Sequence, residues 1–91
     1  MGICQSVACT ISVVDATGYR EVYNVSLKEL KTLQTMGDML RYVNIGVHEK
    51  DTMFTQDHKP IRVDAPFQIQ SVVVYRGLKT FQYRITMNRL Y

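Results

Sequence analysis

The sequence lacks the features that predict a membrane-spanning, secreted or disulfide-linked chain. None of its 91 residues belongs to an apolar run of 18 or more, so it contains no candidate for a membrane-spanning helix. No charged segment precedes an apolar core in the way that predicts a secretory signal. The two cysteines are too few for a disulfide framework. We therefore expect a reducing compartment, either the cytoplasm or the cytoplasmic face of a membrane.

Catalytic and nucleotide-binding patterns are missing too. The residues His48, His58, Cys4 and Cys9 do not have the spacing of a metal site. A Cys–His nucleophile pair stays open, because such residues meet in space, but Cys9 falls in a predicted strand and Cys4 in a tail. The five glycines are scattered, so no glycine-rich loop is available to hold a phosphate. We expect no enzyme, no cofactor and no metal.

The first six residues carry the most specific pattern in the chain. They read Met1-Gly2-Ile3-Cys4-Gln5-Ser6, which fits the consensus for N-myristoylation at Gly2 once Met1 is removed. A single myristoyl chain gives only marginal membrane binding, so stable anchoring needs a second signal. The first basic residue is Arg20, which leaves a thioester-linked palmitoyl chain on Cys4 as the local candidate. The alternative is a chance match in an unmodified chain.

Charge is distributed unevenly along the chain. Residues 1–57 have a net charge of −2, whereas residues 58–91 have six Lys or Arg, one acid and a net charge of +5. A basic half of this kind favours contact with anionic lipid or nucleic acid, and the alternative for any single residue is a solvated polar face. The predicted basic surface consists of Arg62, Arg76, Lys79, Arg84 and Arg89.

Alternation of apolar and polar residues predicts two pairs of strands. Val7–Asp15 alternates with Cys9 on its apolar face, where we expect the thiol to fill the core, and Tyr19–Val25 returns after a turn. Phe67–Tyr75 contains a continuous apolar run that indicates a central strand. Residues 80–88 alternate most regularly, with Phe81 and Tyr83 on the apolar face. Because the rings are predicted to be core, nucleic acid is the less favoured partner.

One main helix is predicted between the two pairs of strands. Ser26 and Glu29 have the spacing of a capping box, in which each side chain bonds the backbone amide of the other residue. Gly37 is expected to end or kink the helix, and Asp38 to cap a short second turn. The predicted apolar stripe consists of Leu27, Leu30, Leu33 and Met36.

These elements predict a single α+β domain over residues 7–91, after a lipidation tail at residues 1–6. The predicted fold is a mostly antiparallel sheet of about four strands with one main helix packed on one face. Its order is strand-strand-helix-strand-strand. Residues 44–66 are irregular, with Met53 and Phe54 as a small apolar island on the core.

Two short segments resemble parts of a known family. Together with the order of elements, Ala65-Pro66-Phe67-Gln68-Ile69 and Val74-Tyr75-Arg76-Gly77 resemble the globular domain of rhabdovirus matrix proteins. Proteins of that family line the inner face of the viral envelope and condense the nucleocapsid. The resemblance implies a small matrix-like or adaptor role, and it carries over no functional residue.

The functional prediction is a small, non-enzymatic peripheral membrane protein that is N-myristoylated. It would lie on the cytosolic leaflet and act through contacts with a protein partner or with itself. The alternative is a soluble β-rich interaction or nucleic-acid-binding module in the cytoplasm, in which the match at Gly2 is accidental.

Overall fold

The computed structural model describes residues 7–45, 51–76 and 80–90. The described strands are β1 (Val7–Asp15), β2 (Arg20–Ser26), β3 (Asp51–Thr55), β4 (Pro60–Ile61), β5 (Val72–Arg76) and β6 (Thr80–Arg89). Two short helices, α1 (Leu27–Leu30) and α2 (Met36–Tyr42), follow β2 in the chain. The strands form one sheet in the spatial order β2-β1-β6-β5-β3-β4. Every neighbouring pair in this sheet is antiparallel.

The prediction of about four strands and one main helix is wrong. Residues 51–61, which lack a clear period, form β3 and β4, so the sheet has six strands. The strand predicted from Phe67 begins only at Val72. Phe67 bonds instead to the segment that leads into α2, because its amide donates to the Gln34 carbonyl at 2.9 Å. The chain remains a small domain of the α+β kind, with little helix.

The prediction of a main helix that runs from Ser26 to about Gly37 is also wrong. The capping box forms as predicted, because the Glu29 amide donates to Ser26 Oγ at 3.1 Å and the Ser26 amide donates to Glu29 Oε1 at 3.0 Å. The helix nevertheless ends after one turn, at Leu30. A second capping box, made by Thr35 and Asp38, begins α2, so Thr35 and not Asp38 is the cap.

Gly37 lies inside α2 and does not end a helix. Its amide donates to the Val63 carbonyl at 2.8 Å. A Cβ at this position would lie 3.2 Å from the same oxygen, which is a tight approach. The glycine therefore lets the segment after β4 bond closely to the first turn of α2.

One face of the sheet packs against α2 and its flanking residues to form the core. The predicted leucine stripe contributes less than expected: Leu33 is buried, Leu30 is partly buried and Leu27 is 45% exposed. The residues of the core that come from the α2 region are Met36, Met39, Leu40 and Val43. Those that come from the strands are Cys9, Ile11, Val13, Val25, Met53, Val72, Val74, Ile85 and Met87.

Both predicted pairs of strands are present and antiparallel. The bounds of β1 match the prediction, and the turn after it places Gly18 at φ 92°, a left-handed value that glycine adopts without strain. Cys9 is fully buried, as predicted. Strand β5 is interior in the sheet and pairs with β6, while the turn predicted at Gly77 lies outside the described residues.

The second face of the sheet carries no helix of the described chain, and we call it the open face. Side chains of a strand alternate between faces, so the open face is made of the residues between the core positions. They are Thr10, Ser12, Val14, Arg20, Val22, Asn24, Thr52, Phe54, Val73, Tyr75, Phe81, Arg84, Thr86 and Asn88.

Candidate functional site

The structure gives two of the predicted basic residues a carboxylate partner. Arg62 donates two hydrogen bonds to the Asp64 carboxylate, at 3.0 and 3.2 Å, on an exposed part of the segment after β4. Arg76 donates to Asp51 Oδ1 at 3.0 Å across β5 and β3. This bond raises the pKa of Arg76, and it partly neutralises the charge that a ligand would meet.

The two other predicted basic residues that the structure describes, Arg84 and Arg89, lie on opposite faces of the sheet. Arg84 is exposed on the open face, whereas Arg89 pairs with Cys9 and so lies on the core side of the sheet, at its rim. Lys79 falls outside the described residues, as do the lipidation candidates Gly2 and Cys4.

A separate group of basic residues lies where the N-terminal segment joins the sheet. Val7, the first described residue, pairs with Ser26, and α1 follows Ser26 directly. Lys28 and Lys31 of this region are exposed, and residues three apart on a helical turn lie side by side. We call this surface the basic end, and it consists of Leu27, Lys28, Lys31, Arg89 and Leu90.

The basic end combines positive charge with exposed apolar side chains. Leu27 is 45% exposed and Leu90 is 52% exposed. Arg89 borders a cleft with Leu30 of α1, which places it beside the lysine-bearing turn. In the described part of this end, the one carboxylate is that of Glu29, which accepts hydrogen bonds from the Ser26 amide and the Tyr42 hydroxyl, both at 3.0 Å. These bonds, those from Ser26 first, lower the pKa of Glu29 because they stabilise its ionised form.

The second feature is an aromatic cluster on the open face. The rings of Phe54 and Tyr75 contact edge to face with centroids 5.9 Å apart, and those of Tyr75 and Phe81 do so at 6.3 Å. The guanidinium carbon of Arg84 lies 5.8 Å from the centroid of the Phe81 ring, within the range of a cation–π contact. None of the three rings belongs to the core.

A β-bulge explains why Phe81 is not in the core as predicted. Val74 pairs with Tyr83, but the next residue, Tyr75, pairs with Phe81, so Gln82 is an extra residue in β6. An extra residue reverses the side-chain alternation on one side of the bulge. Tyr83 therefore packs on the core, whereas Phe81 joins Tyr75 and Arg84 on the open face.

The charged side chains of the open face are all cationic, and no acid occurs among its described residues. Its charged groups are Arg20 and Arg84, which both pair with Val14 from opposite sides and so lie in one row across three strands. Strands are about 4.8 Å apart, so the two backbones are about 10 Å apart. No carboxylate in the described ranges forms an ion pair with either guanidinium.

A shallow cleft of about 510 Å³ opens beside the aromatic cluster. Phe54, Tyr75 and Arg84 form part of its wall, and Ser71 and Thr86 add hydroxyl groups. No acidic residue lines it. A cleft of this size lies within the range of about 300–1,000 Å³ that is typical of ligand sites.

Of the four cysteine and histidine residues considered for a nucleophile pair or a metal site, the structure describes Cys9 and His58. Burial raises the pKa of the Cys9 thiol, which leaves it protonated and inert as a nucleophile. His48 is not among the described residues, and His58 is exposed in the turn between β3 and β4. No group of three or more potential metal ligands occurs in the part of the chain that the structure covers. Neither described helix has the length and apolar character needed to cross a membrane.

Several residues of these two surfaces escaped the sequence analysis. The position of Lys28 and Lys31 near the N-terminal segment could have been predicted. The predicted first hairpin places Ser26 beside Val7, and the two lysines follow Ser26 in the chain. The alternation of β1 and β2 likewise indicates that Arg20 faces away from the core. For Phe81 no signal was available, since the bulge is a property of the pairing of β5 with β6.

Comparison with known proteins identifies no relative of this chain. No protein-family model, no curated protein and no solved structure matches this chain. The resemblance to rhabdovirus matrix proteins therefore stays a prediction from short segments.

Proposed function

We propose that this chain is a small, non-enzymatic peripheral membrane protein that is myristoylated at Gly2 and acylated at Cys4. It acts as a matrix-like or adaptor protein on the cytoplasmic face of a membrane. The observation that carries the proposal is the position of the basic end. The N-terminal pattern runs directly into β1 at Val7, and the basic end lies beside the start of that strand.

The short sequence separation between Gly2 and the start of β1 supports simultaneous contact of the lipid and the basic end with one membrane. Gly2 and Val7 are five residues apart in sequence, so the chain geometry limits their separation to at most about 17 Å. A lipid inserted from Gly2 therefore keeps the start of β1, and with it Lys28, Lys31 and Arg89, close to the headgroups. The exposed Leu27 and Leu90 can enter the interface beside them.

The basic end supplies the second signal that the N-terminal sequence lacks. A single myristoyl chain binds with an association constant of about 10⁴ M⁻¹. Each Lys or Arg near an anionic leaflet adds about 1 kcal/mol, so three of them strengthen binding by roughly 100-fold. The Glu29 carboxylate opposes this in part. Cys4 acylation and the basic end therefore act as additive contributions to retention.

Self-association or partner binding has support at the edge of the sheet. Strand β2 is an edge strand of seven residues, and its outer side has no strand partner within the described ranges. Val22 on this strand is 58% exposed. An uncovered edge of this length presents unpaired backbone groups that can bond a further strand.

The test is fractionation of the full chain from eukaryotic cells, together with its intact mass. We expect the mass increment of myristate, and we expect Gly2→Ala to move the protein from the membrane fraction to the soluble fraction. Cys4→Ser should reduce retention less completely, because the myristoyl chain and the basic end remain. If Gly2→Ala fractionates with membranes as wild type does, or if the mass is unmodified, the proposal is wrong.

A second comparison tests the role of the basic end. Purified myristoylated chain is mixed with vesicles that contain or lack phosphatidylserine. The double variant Lys28→Gln/Lys31→Gln should lose about 10- to 30-fold in affinity for the acidic vesicles only. The matched control is Arg20→Gln/Arg84→Gln, which removes the same charge from the open face and should bind these vesicles like wild type. Equal losses from the two variants would mean that net charge alone, and not the basic end, drives binding.

A further inference from the structure

We propose that the open face binds single-stranded RNA, with the Phe54–Tyr75–Phe81 cluster stacking bases and Arg20 and Arg84 contacting phosphates. This site is independent of the lipid anchor. The basic end lies where β1 begins, whereas the aromatic cluster lies toward the opposite end of the sheet, where β5 meets the start of β6.

The first argument is the position of the aromatic rings. A globular domain usually buries its phenylalanine side chains. Phe54 and Phe81, however, lie outside the core and are only half-buried. The bulge at Gln82 turns Phe81 away from the core at the cost of an unpaired residue in the ladder. Aromatic side chains on an open antiparallel sheet are a recurrent platform for stacking unpaired bases.

The second argument is the charge of the face. Both charged residues among its described members are arginines, and the acids of the same strands, Asp15, Glu21 and Asp51, occupy positions of the other face. A polyanion therefore meets no carboxylate across the six strands. Arg84 is already held beside the Phe81 ring, so a base stacked there has a cation within reach.

The third argument is the neutral polar surface that continues from the cluster. Ser12 pairs with Thr86, and Thr10 pairs with Asn88, so hydroxyl and amide groups follow the row of arginines along β1 and β6. Hydroxyls of Ser71 and Thr86 also line the cleft beside the rings. These groups can exchange hydrogen bonds with base edges and with the ribose 2′-hydroxyl, which favours RNA over DNA.

The test is fluorescence anisotropy of a labelled 12-nucleotide single-stranded RNA of mixed sequence, titrated with full chain carrying Gly2→Ala so that lipid plays no part. We expect binding that weakens with added salt, with a slope that reflects the phosphates contacted. Arg20→Gln/Arg84→Gln should weaken binding and reduce that slope by about 1–2. The matched control is Lys28→Gln/Lys31→Gln on the basic end, which should bind RNA like wild type.

The aromatic part of the site is tested by Phe81→Leu and Tyr75→Leu, which keep an apolar side chain but remove the ring. Each should weaken binding by about 5- to 150-fold without changing the salt slope, since stacking is not electrostatic. Thermal unfolding of each variant shows whether it is folded. If a ring variant is unfolded, the Arg20→Gln/Arg84→Gln variant decides whether the open face binds RNA, because both arginine side chains are exposed.

Three results would overturn this proposal. The first is no RNA binding by wild-type chain at low salt. The second is a loss in the Lys28→Gln/Lys31→Gln control as large as in the open-face variants. The third is equal or tighter binding of a DNA oligonucleotide of the same sequence. If instead the ring variants change the oligomeric state and wild type binds no RNA, the open face is a contact between copies of the chain. Failure here leaves the membrane proposal intact, because fractionation of Gly2→Ala measures that role separately.

Discussion

Replacing Met39 and Leu27 by alanine tests which helix fills the core. Met39 of α2 is fully buried, whereas Leu27 of α1 is 45% exposed. Truncation of a buried methionine costs about 2–5 kcal/mol through lost burial and the cavity that remains. Truncation of an exposed leucine costs less than about 0.5 kcal/mol, and alanine is itself the best helix former. A chain of 91 residues has a total stability of about 5–14 kcal/mol, so Met39→Ala removes a large share of it.

The assay is urea unfolding followed by circular dichroism. The slope m is about 1–3 kcal/mol per molar urea for small domains, so a loss of 3 kcal/mol lowers the midpoint by about 1–3 M. Leu27→Ala should shift the midpoint by less than about 0.5 M. Met39→Leu is the matched control, because it keeps the volume and should cost under about 1.5 kcal/mol. Should Leu27→Ala prove as costly as Met39→Ala, the core would contain the leucine stripe of α1, and the arrangement of the helices described above would be wrong.

Three further outcomes follow from single contacts. Thr35→Ala should cost about 1 kcal/mol in thermal or urea unfolding through loss of the α2 cap, while Thr35→Ser retains the hydroxyl and most of the stability. The Ser26 bonds lower the pKa of Glu29, and Arg41 together with backbone amides lowers the pKa of Asp38. Both pKa values therefore lie below their values in the unfolded chain. The stability that these carboxylates add is present above about pH 4 and is lost as the pH falls through the folded-state pKa. The melting temperature should fall over that window, and less so in Asp38→Asn. In a Cys4→Ser chain the buried Cys9 thiol, whose pKa is raised, should react with a disulfide reagent only when urea unfolds the protein, and rapid reaction in the native state would contradict its burial.

Local sequence patterns determined the parts of this fold that depend on neighbouring residues. The first hairpin and its Gly18 turn follow from alternation and from a residue that tolerates positive φ. The capping box of Ser26 follows from two side chains three residues apart. The burial of Cys9 follows from its place on the apolar face of β1. In each case the physical cause acts within a few residues of the chain.

Tertiary contacts decided how long α1 is and where the second helix begins. The spacing of Leu27, Leu30 and Leu33 suits a continuous helix, but the chain stops after one turn and begins again at Thr35. There the amides of Met36 and Gly37 bond carbonyls from the segment after β4. Those partners are about 30 residues away in sequence, so no local propensity could reveal them.

The sheet and its open face were likewise decided by long-range pairing. Strands β3 and β4 are too short and irregular to show a period, and they form because β5 offers β3 a partner strand. The position of Phe81 depends on the register between β5 and β6, in which one extra residue reverses the alternation. The alternation of β6 considered alone predicts that Phe81 lies on the core face. Local patterns therefore identify which residues are apolar, charged or turn-forming. Which of them share a surface depends on strand pairing, because the face of a strand residue is fixed by its register with a distant partner.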